Sequence, residues 1–305
     1  MLSRVTLATL LFLLTTPSSA GAQEKNWAVV RAKTEARLQE IISGTRGAMG
    51  LTVIDLTSGE HFDINENLVF PQGSAIKIPI LMEVYKQAAE GKVKLTDLLS
   101  VAKQHQVGGS GVLKELGDGT SRLSIGDLAV LMILVSDNTA TNMLIDLVGT
   151  KNINQTMASL GLSQTKIQRV MMDTAARGRG DENLSTPAEA ARIMETLYQG
   201  EFIDRAACDD MLAILKKPKR GGINAGLPAD VPVAFKPGGI PGVSTEWAIV
   251  YLKERPYVVV VMENYELNDE ATEAMKEISR TLYDYFWRLG RASRYGTYVD
   301  PSLLK

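Results

Sequence analysis

Strand-like alternation of apolar and polar residues lies near both ends of this 305-residue chain, and helical periodicity occupies the region between them. From Gly47 to Ile64 the alternation is interrupted by the turn residues Thr57-Ser58-Gly59, which predicts a β-hairpin. Three further strands are predicted at Val233 to Phe235, Val243 to Leu252 and Tyr257 to Met262. Because strands must pair with one another, the two ends of the chain are expected to meet in one sheet.

The middle of the chain predicts helices. Apolar residues follow helical spacing over residues 128–135 and again over residues 140–147. Ser124 and Thr186 have the sequence context of helix N-caps, and a proline follows the threonine. A closing helix is predicted from about Glu270 to Leu289.

These patterns predict an α+β fold. A mostly antiparallel sheet, built from both chain ends and flanked by helices, carries an inserted all-α lobe. The α/β lobe is placed at about residues 23–70 and 221–305, and the helical lobe at about residues 71–220. A cleft between the two lobes is the expected position of a functional site.

Residues 1–22 have the pattern of an export signal. Arg4 precedes an apolar run from Val5 to Leu14, and a small-residue stretch ends at Ala20-Gly21-Ala22. A membrane-spanning helix needs roughly 20 apolar residues, so an uncleaved anchor is the less favoured alternative. We therefore predict a mature chain that begins at residue 23, is periplasmic or secreted, and has no membrane span after processing.

Composition argues against several classes of function. The chain has 33 Lys and Arg against 35 Asp and Glu, so no basic excess suggests a nucleic-acid partner. Cys208 is the only cysteine, which rules out an intramolecular disulfide. The two histidines, His61 and His105, form no cluster at metal-ligand spacing. We expect neither a metal nor another cofactor.

The segment Ser74-Ala75-Ile76-Lys77 places a serine and a lysine on one face of a predicted helix, where the amine can activate the hydroxyl. Apolar neighbours would desolvate Lys77 and favour its neutral, basic form. Ser74 also follows a chain reversal, so its backbone N–H would be free at a helix start. The plain alternative is a serine N-cap beside a surface lysine. Three other pairs share the spacing: Ser100/Lys103, Ser163/Lys166 and Ser302/Lys305.

Two further motifs carry groups that complement a serine nucleophile. Ser136-Asp137-Asn138 falls between two predicted helices, where Ser136 can relay a proton and Asn138 can bind an amide carbonyl. These residue types are also common helix caps, and the two roles are compatible. Lys236-Pro237-Gly238-Gly239 follows a predicted strand; Lys236 can attract a carboxylate, and the glycines admit a substrate along the sheet edge.

The three motifs, in this order, resemble those of class A β-lactamases and related penicillin-binding active-site-serine hydrolases. The run from Ser136 to Asn142 and the segment Ser185-Thr186-Pro187 extend the resemblance. It implies a catalytic set, an oxyanion hole and a substrate-binding set. In the catalytic set, Ser74 is the nucleophile, Lys77 is its base and Ser136 is the proton relay. The N–H groups of Ser74 and Gly239 form the oxyanion hole. The substrate-binding residues are Asn138, Lys236 and Gly238.

The chain departs from the family pattern at two positions. Pro237 replaces the usual Thr or Ser after the anchoring lysine and removes a hydroxyl for the substrate carboxylate. The Glu-x-x-Leu-Asn run of class A enzymes is absent from residues 163–187, where Glu182 is the only glutamate. Glu182 is therefore the candidate base for deacylation, and a solvated loop carboxylate is the alternative.

The resemblance implies an enzyme that opens β-lactam rings through an acyl-enzyme. A D-Ala-D-Ala peptidase or penicillin-binding enzyme, which β-lactams acylate but which deacylates slowly, is a second hypothesis. A non-catalytic β-lactam sensor is a third. The expected partners are a small-molecule β-lactam or a peptidoglycan stem peptide ending in D-Ala, and the expected state is a monomer.

Overall fold

A computed structural model describes residues 20–116, 119–265, 270–293 and 295–303. Most of the predicted export signal, residues 1–19, lies outside this part of the chain, and Ala20 is the first residue of a helix. Within the described ranges, no helix has the length and apolar character needed to cross a membrane.

Strands from both ends of the chain form one five-stranded antiparallel sheet, in the order β2-β1-β9-β8-β7. The predicted hairpin and the predicted pairing of the two chain ends are both confirmed. Two short antiparallel pairs, β3 with β6 and β4 with β5, lie outside this sheet. The strands are β1 (Ala48–Asp55), β2 (His61–Ile64), β3 (Phe70–Pro71), β4 (Leu98–Ser100), β5 (Arg122–Ser124), β6 (Leu184–Ser185), β7 (Val233–Ile240), β8 (Val243–Val250) and β9 (Tyr257–Asn264).

Helices cover both faces of the sheet. The helices are α1 (Ala20–Gly44), α2 (Lys77–Ala89), α3 (Ile125–Leu134), α4 (Asn138–Val148), α5 (Thr150–Ser159), α6 (Thr174–Gly178), α7 (Pro187–Gln199), α8 (Arg205–Leu215), α9 (Gly222–Ala225) and α10 (Glu270–Arg291). On one face, α1 and α10 bury Leu38 and Ile278 against Val259. On the other, α7 buries Met194 in the cluster that contains Trp247. Burial of such side chains drives the association of the two chain ends.

The helix starts predicted from the sequence are confirmed. Ser124 Oγ accepts a hydrogen bond from Asp127 N at 3.0 Å, and α3 begins at the next residue. Thr186 Oγ1 accepts one from Glu189 N at 3.2 Å, and Pro187 opens α7. These caps satisfy N–H groups that have no acceptor within the helix.

Strand β7 is longer than the sequence predicts. The predicted strand ends at Phe235, whereas β7 continues to Ile240 and pairs with β8 throughout. Pro237 lies opposite Glu246 in this pairing. Because β7 is an edge strand, the N–H that proline lacks need not have been part of a ladder. The extension carries Gly238 and Gly239 along the sheet edge.

Candidate active site

Ser74 lies in a 3₁₀ turn, Gly73–Ile76, that leads into α2. Gly73 has a φ of +49°, a backbone conformation that glycine adopts without steric cost. Because Ser74 is the second residue of the turn, its backbone N–H has no hydrogen-bond acceptor within the turn. The side chain is half-buried, and its hydroxyl forms no hydrogen bond with any described residue. Ser74 therefore presents an unengaged hydroxyl to the adjoining cavity.

Gln72 holds this turn against the sheet. Its side chain is fully buried, and its Oε1 accepts a hydrogen bond from Trp247 Nε1 at 3.0 Å. Its backbone oxygen accepts one from Thr245 Oγ1 at 2.9 Å and another from Ala75 N at 3.0 Å. A buried amide satisfied in this way is rigid, so Gln72 orients Ser74. Glutamine is usually a surface residue, and nothing in the sequence pattern pointed to this position.

Gly238, predicted to bind substrate, and Gly239, predicted to form the oxyanion hole with Ser74, lie directly beside the serine turn. A Cβ atom added to Gly73 would lie 2.8 Å from Gly239 N, so this nitrogen faces the residue before Ser74. At Gly238, an added Cβ would lie 2.3 Å from Gln72 O and 2.6 Å from Ala75 N. The approach of two backbones explains the glycine at position 238. It also places the N–H groups of Ser74 and Gly239 on neighbouring segments, as an oxyanion hole requires.

We expect Gly238→Ala to destabilise the protein by about 1–3 kcal/mol, because the new methyl group meets backbone atoms that cannot rotate away. Gly239→Ala is the matched control, since its added Cβ meets only Val243 O at 3.8 Å. Thermal or urea unfolding of the two variants measures the difference. Equal loss of stability in both would contradict the close approach.

Lys77 is fully buried at the start of α2. Its Nζ donates hydrogen bonds to Ser136 O at 2.7 Å, Ser136 Oγ at 3.0 Å and Asn138 Oδ1 at 3.0 Å. Burial lowers the pKa of Lys77 to about 7, and the charge of Asp137 opposes the shift. A substantial share of Lys77 is therefore neutral, and able to accept a proton, near pH 7.

Lys77 and Ser74 are not hydrogen-bonded to each other. The three-residue spacing predicts that the amine lies on the same face as the hydroxyl and can activate it, but the lysine amine is hydrogen-bonded to Ser136 and Asn138. Hydrogen bonds between catalytic groups are often long before substrate binds, so this geometry is compatible with a base role.

Ser136 connects the two lysines of the predicted site. Its Oγ accepts hydrogen bonds from Lys77 Nζ at 3.0 Å and from Lys236 Nζ at 3.2 Å. Ser136 has a φ of +54°, which is uncommon for a residue with a side chain and indicates a constrained turn between α3 and α4. Sequence-distant motifs therefore meet at one hydroxyl.

Lys236 is 1 % exposed on β7. Burial is the main reason that the pKa of Lys236 lies well below 10.5; the positive charges of Lys77 and Lys219 lower the pKa further, and Glu246 opposes them. An anion bound beside Lys236 would favour its charged form. The site therefore gains attraction for a carboxylate at the moment of binding.

Asp137 and Asn138 hold the loop that borders the site. Asp137 Oδ1 accepts from Ala140 N at 2.9 Å as the N-cap of α4, and its Oδ2 accepts from the N–H groups of Val112 and Leu113. Asn138 accepts from Lys77 and donates through Nδ2 to Gly108 O at 3.1 Å. The capping role and the site role of this tripeptide thus coexist.

Glu182 is bound by two arginines, Arg169 and Arg177. Its Oε2 accepts hydrogen bonds from Arg169 Nη2 at 2.7 Å and Nε at 3.1 Å. Its Oε1 lies 3.4 Å from Arg177 Nε. Both carboxylate oxygens are therefore engaged with guanidinium groups, and Glu182 is not among the residues that line the cavity beside Ser74.

A cavity of about 380 Å³ adjoins Ser74. Gly239 and Asn138 border it near the serine, and Asp173 and Arg177 border it near α6. A larger cavity, of about 550 Å³, lies between α1, α10 and the C-terminal residues, but no predicted site residue lines it. The chemistry-bearing residues identify the smaller cavity as the candidate site.

A family model described as the beta-lactamase enzyme family matches residues 33–286 of the chain. The chain belongs to this family. The match includes the segments that carry Ser74, Ser136 and Lys236.

Individual relatives and solved structures agree with this placement. The imipenem-hydrolyzing beta-lactamase of Enterobacter cloacae is 26 % identical over 240 residues, which cover 76 % of this chain and 82 % of that protein. A beta-lactamase structure from Sphaerobacter thermophilus is 32 % identical with a TM-score of 0.75, covering 85 % of this chain and 97 % of that one. The structure of PBP-A is 29 % identical with a TM-score of 0.78, covering 84 % and 96 %. A mutant of PBP-A has been solved as an acyl-enzyme complex with penicillin G.

Proposed function

We propose that this chain is an active-site-serine hydrolase that opens β-lactam rings through an acyl-enzyme on Ser74. The observation that carries the proposal is the hydrogen-bonded set Lys77–Ser136–Lys236 beside an unengaged serine hydroxyl. Membership of the β-lactamase family and the PBP-A acyl-enzyme with penicillin G support it.

In the proposed acylation, the Ser74 hydroxyl proton passes to neutral Lys77, and Ser74 Oγ bonds to the lactam carbonyl carbon. The N–H groups of Ser74 and Gly239 stabilise the negative charge that develops on the carbonyl oxygen. As the carbon–nitrogen bond breaks, Ser136 gives its proton to the ring nitrogen and is reprotonated from the lysine pair. Lys236 binds the substrate carboxylate. The products of this step are a serine ester and a secondary amine.

Hydrolysis of the ester requires a base that activates water, and this step decides between two candidate functions. Because Glu182 is held by Arg169 and Arg177, the carboxylate that the family resemblance suggests is poorly placed to act. Asp173 lines the cavity, but its Oδ1 already caps α6 through Ala176 N at 2.9 Å. The engagement of both carboxylates favours the second candidate function. That candidate is a D-Ala-D-Ala peptidase that is acylated by β-lactams and deacylates slowly.

A time course with a chromogenic cephalosporin and a fluorescent penicillin on the same preparation tests the proposal. Ring opening with continued turnover supports a β-lactamase. A stoichiometric burst followed by stalled turnover, together with release of D-Ala from a D-Ala-D-Ala peptide, supports the second candidate. Absence of both ring opening and covalent labelling would refute acylation by β-lactams.

We expect Glu182→Gln to change the rate at which the benzylpenicillin acyl-enzyme is hydrolysed by less than about tenfold. A carboxylate general base contributes roughly 10²–10⁴-fold, and an arginine-bound carboxylate cannot supply that. Asp181→Asn, next to it in the same loop, is the control. A loss of 10²-fold or more in Glu182→Gln alone, with acylation unchanged, would identify Glu182 as the base.

We also propose that residues 1–22 direct export to the periplasm or the medium and are removed. N-terminal sequencing of the protein recovered outside the cytoplasm should begin at residue 23. Recovery of the chain with Met1 intact would contradict this.

A further inference from the structure

The cavity beside Ser74 extends away from the lysines. Lys77 and Lys236 do not line it, whereas residues of the loop around α6 do. If the substrate carboxylate lies at Lys236 and the reacting carbonyl at Ser74, the acyl side chain must extend into this cavity. The residues of its far end therefore contact the part of the substrate that differs between acyl donors.

Two opposite charges line that far end without neutralising each other. Asp173 and Arg177 are four residues apart, a spacing at which helical side chains commonly form ion pairs. Here Arg177 contacts Glu182 at 3.4 Å and Pro241 O at 3.5 Å instead. Among the described residues, Arg177 Nη1 and Asp173 Oδ2 have no hydrogen-bond partner. Both groups retain capacity to bind a ligand.

The remaining charges of this wall are already satisfied. Arg169, with a side chain 8 % exposed, donates through Nε and Nη2 to Glu182 and through Nη1 to Val170 O. The charged residues that line the cavity are Arg169, Asp173 and Arg177, and Glu182, which pairs with both arginines, brings the net charge of the group to zero. A cavity surface without net charge attracts neither an anion nor a cation strongly. It is complementary to a ligand group that carries a positive and a negative charge side by side.

We propose that the preferred acyl donor has a side chain ending in an amino-acid head group, with its carboxylate on Arg177 and its ammonium on Asp173. This inference rests on the proposed acylation of Ser74 and names the substrate class of that site. Arg177 Nη1 can donate a charge-assisted hydrogen bond to a carboxylate, and Asp173 Oδ2 can accept one from an ammonium. Arg177 and Asp173 thus act as specificity-determining residues at a distance from the reacting bond.

Three penicillins that share one nucleus and one side-chain length test the proposal. Their side chains are hexanoyl, which is neutral; adipyl, which adds a carboxylate; and D-α-aminoadipyl, which adds the ammonium as well. The measurement is the second-order rate constant for acylation of the purified protein. We expect the zwitterionic compound to react about tenfold faster than the neutral one, the effect typical of hydrogen bonds to charged groups at a partly exposed site. Equal rates, or a preference for the neutral or the adipyl compound, would overturn the proposal.

Two variants test which charge of the substrate side chain each residue binds. Asp173→Asn keeps a residue that can cap α6 and should lower the ratio of the zwitterionic to the adipyl rate. Arg177→Gln should lower the ratio of the adipyl to the hexanoyl rate. Arg179→Gln is the matched control, because Arg179 pairs with Asp181 in the same loop and does not line the cavity. Ratios that neither variant moves would refute the assignment.

Each ratio is taken within one protein, so a partial loss of folded material cancels. Failure of all three penicillins and of benzylpenicillin to acylate the wild-type protein would count against the proposed function. Acylation by all of them without discrimination would count against this inference alone.

Discussion

Replacing Ser74 by alanine should abolish covalent labelling by benzylpenicillin and reduce β-lactam opening by at least about 10⁴-fold. The hydroxyl of Ser74 is the group that would form the ester bond, and it lies in the turn that leads into the start of α2. Its surroundings support this role, since Gly238 and Gln72 fix the turn and the cavity opens beside it. Peptide mapping of the labelled protein by mass spectrometry identifies the acylated residue.

Ser100→Ala is the matched control, because Ser100 has the same three-residue spacing to a lysine but lies on β4. That variant should keep full labelling. Label on Ser100 or Ser163, or undiminished labelling of Ser74→Ala, would refute the assignment of the nucleophile.

Replacing Lys77 by alanine should reduce the acylation rate at saturating substrate by roughly 10²–10⁴-fold, the usual contribution of a positioned general base. Lys236→Ala should instead raise the substrate concentration needed for half-maximal rate, because it removes the attraction for the carboxylate. Stopped-flow acylation over a range of penicillin concentrations separates the two effects. If Lys236→Ala abolished the saturating rate and left binding intact, the roles of the two lysines would be exchanged.

The same assignment predicts a pH dependence. The pKa of Lys77 is lowered to about 7, so the amine is protonated and inactive as a base below that pH and neutral above it. The acylation rate should therefore rise as pH increases through about 7 and level off above it. A rate that falls over this interval would contradict proton transfer to a neutral Lys77.

Sequence patterns were sufficient for the architecture, and they predicted the chemical groups of the candidate site. Alternating apolar residues at both chain ends predicted that the two ends join in one sheet, and β1 from one end does pair with β9 from the other. Short-range capping signals at Ser124 and Thr186 were equally reliable, since a cap involves residues three positions apart.

The local sequence pattern was less informative about the length of the edge strand β7 and about the contacts of the loop that carries Glu182. The extension of β7 past Pro237 was missed because proline usually ends a strand, and only its position at the sheet edge makes it acceptable. The partners of Glu182 were also missed. Arg169 and Arg177 are separated from it by 13 and 5 positions, in a loop whose path no periodicity describes.

The sequence by itself determined which residues carry the candidate chemistry: Ser74, Lys77, Ser136 and Lys236 stand in motifs whose spacing is local. Only the tertiary structure decided how they meet. Lys77 turns to Ser136 rather than to Ser74, and Lys236 reaches the same hydroxyl from a residue 100 positions away. Such contacts depend on how buried side chains pack between elements that are distant in sequence, because a buried amine must find its acceptors among the atoms packed around it. Spacing along the chain does not determine which acceptors those are.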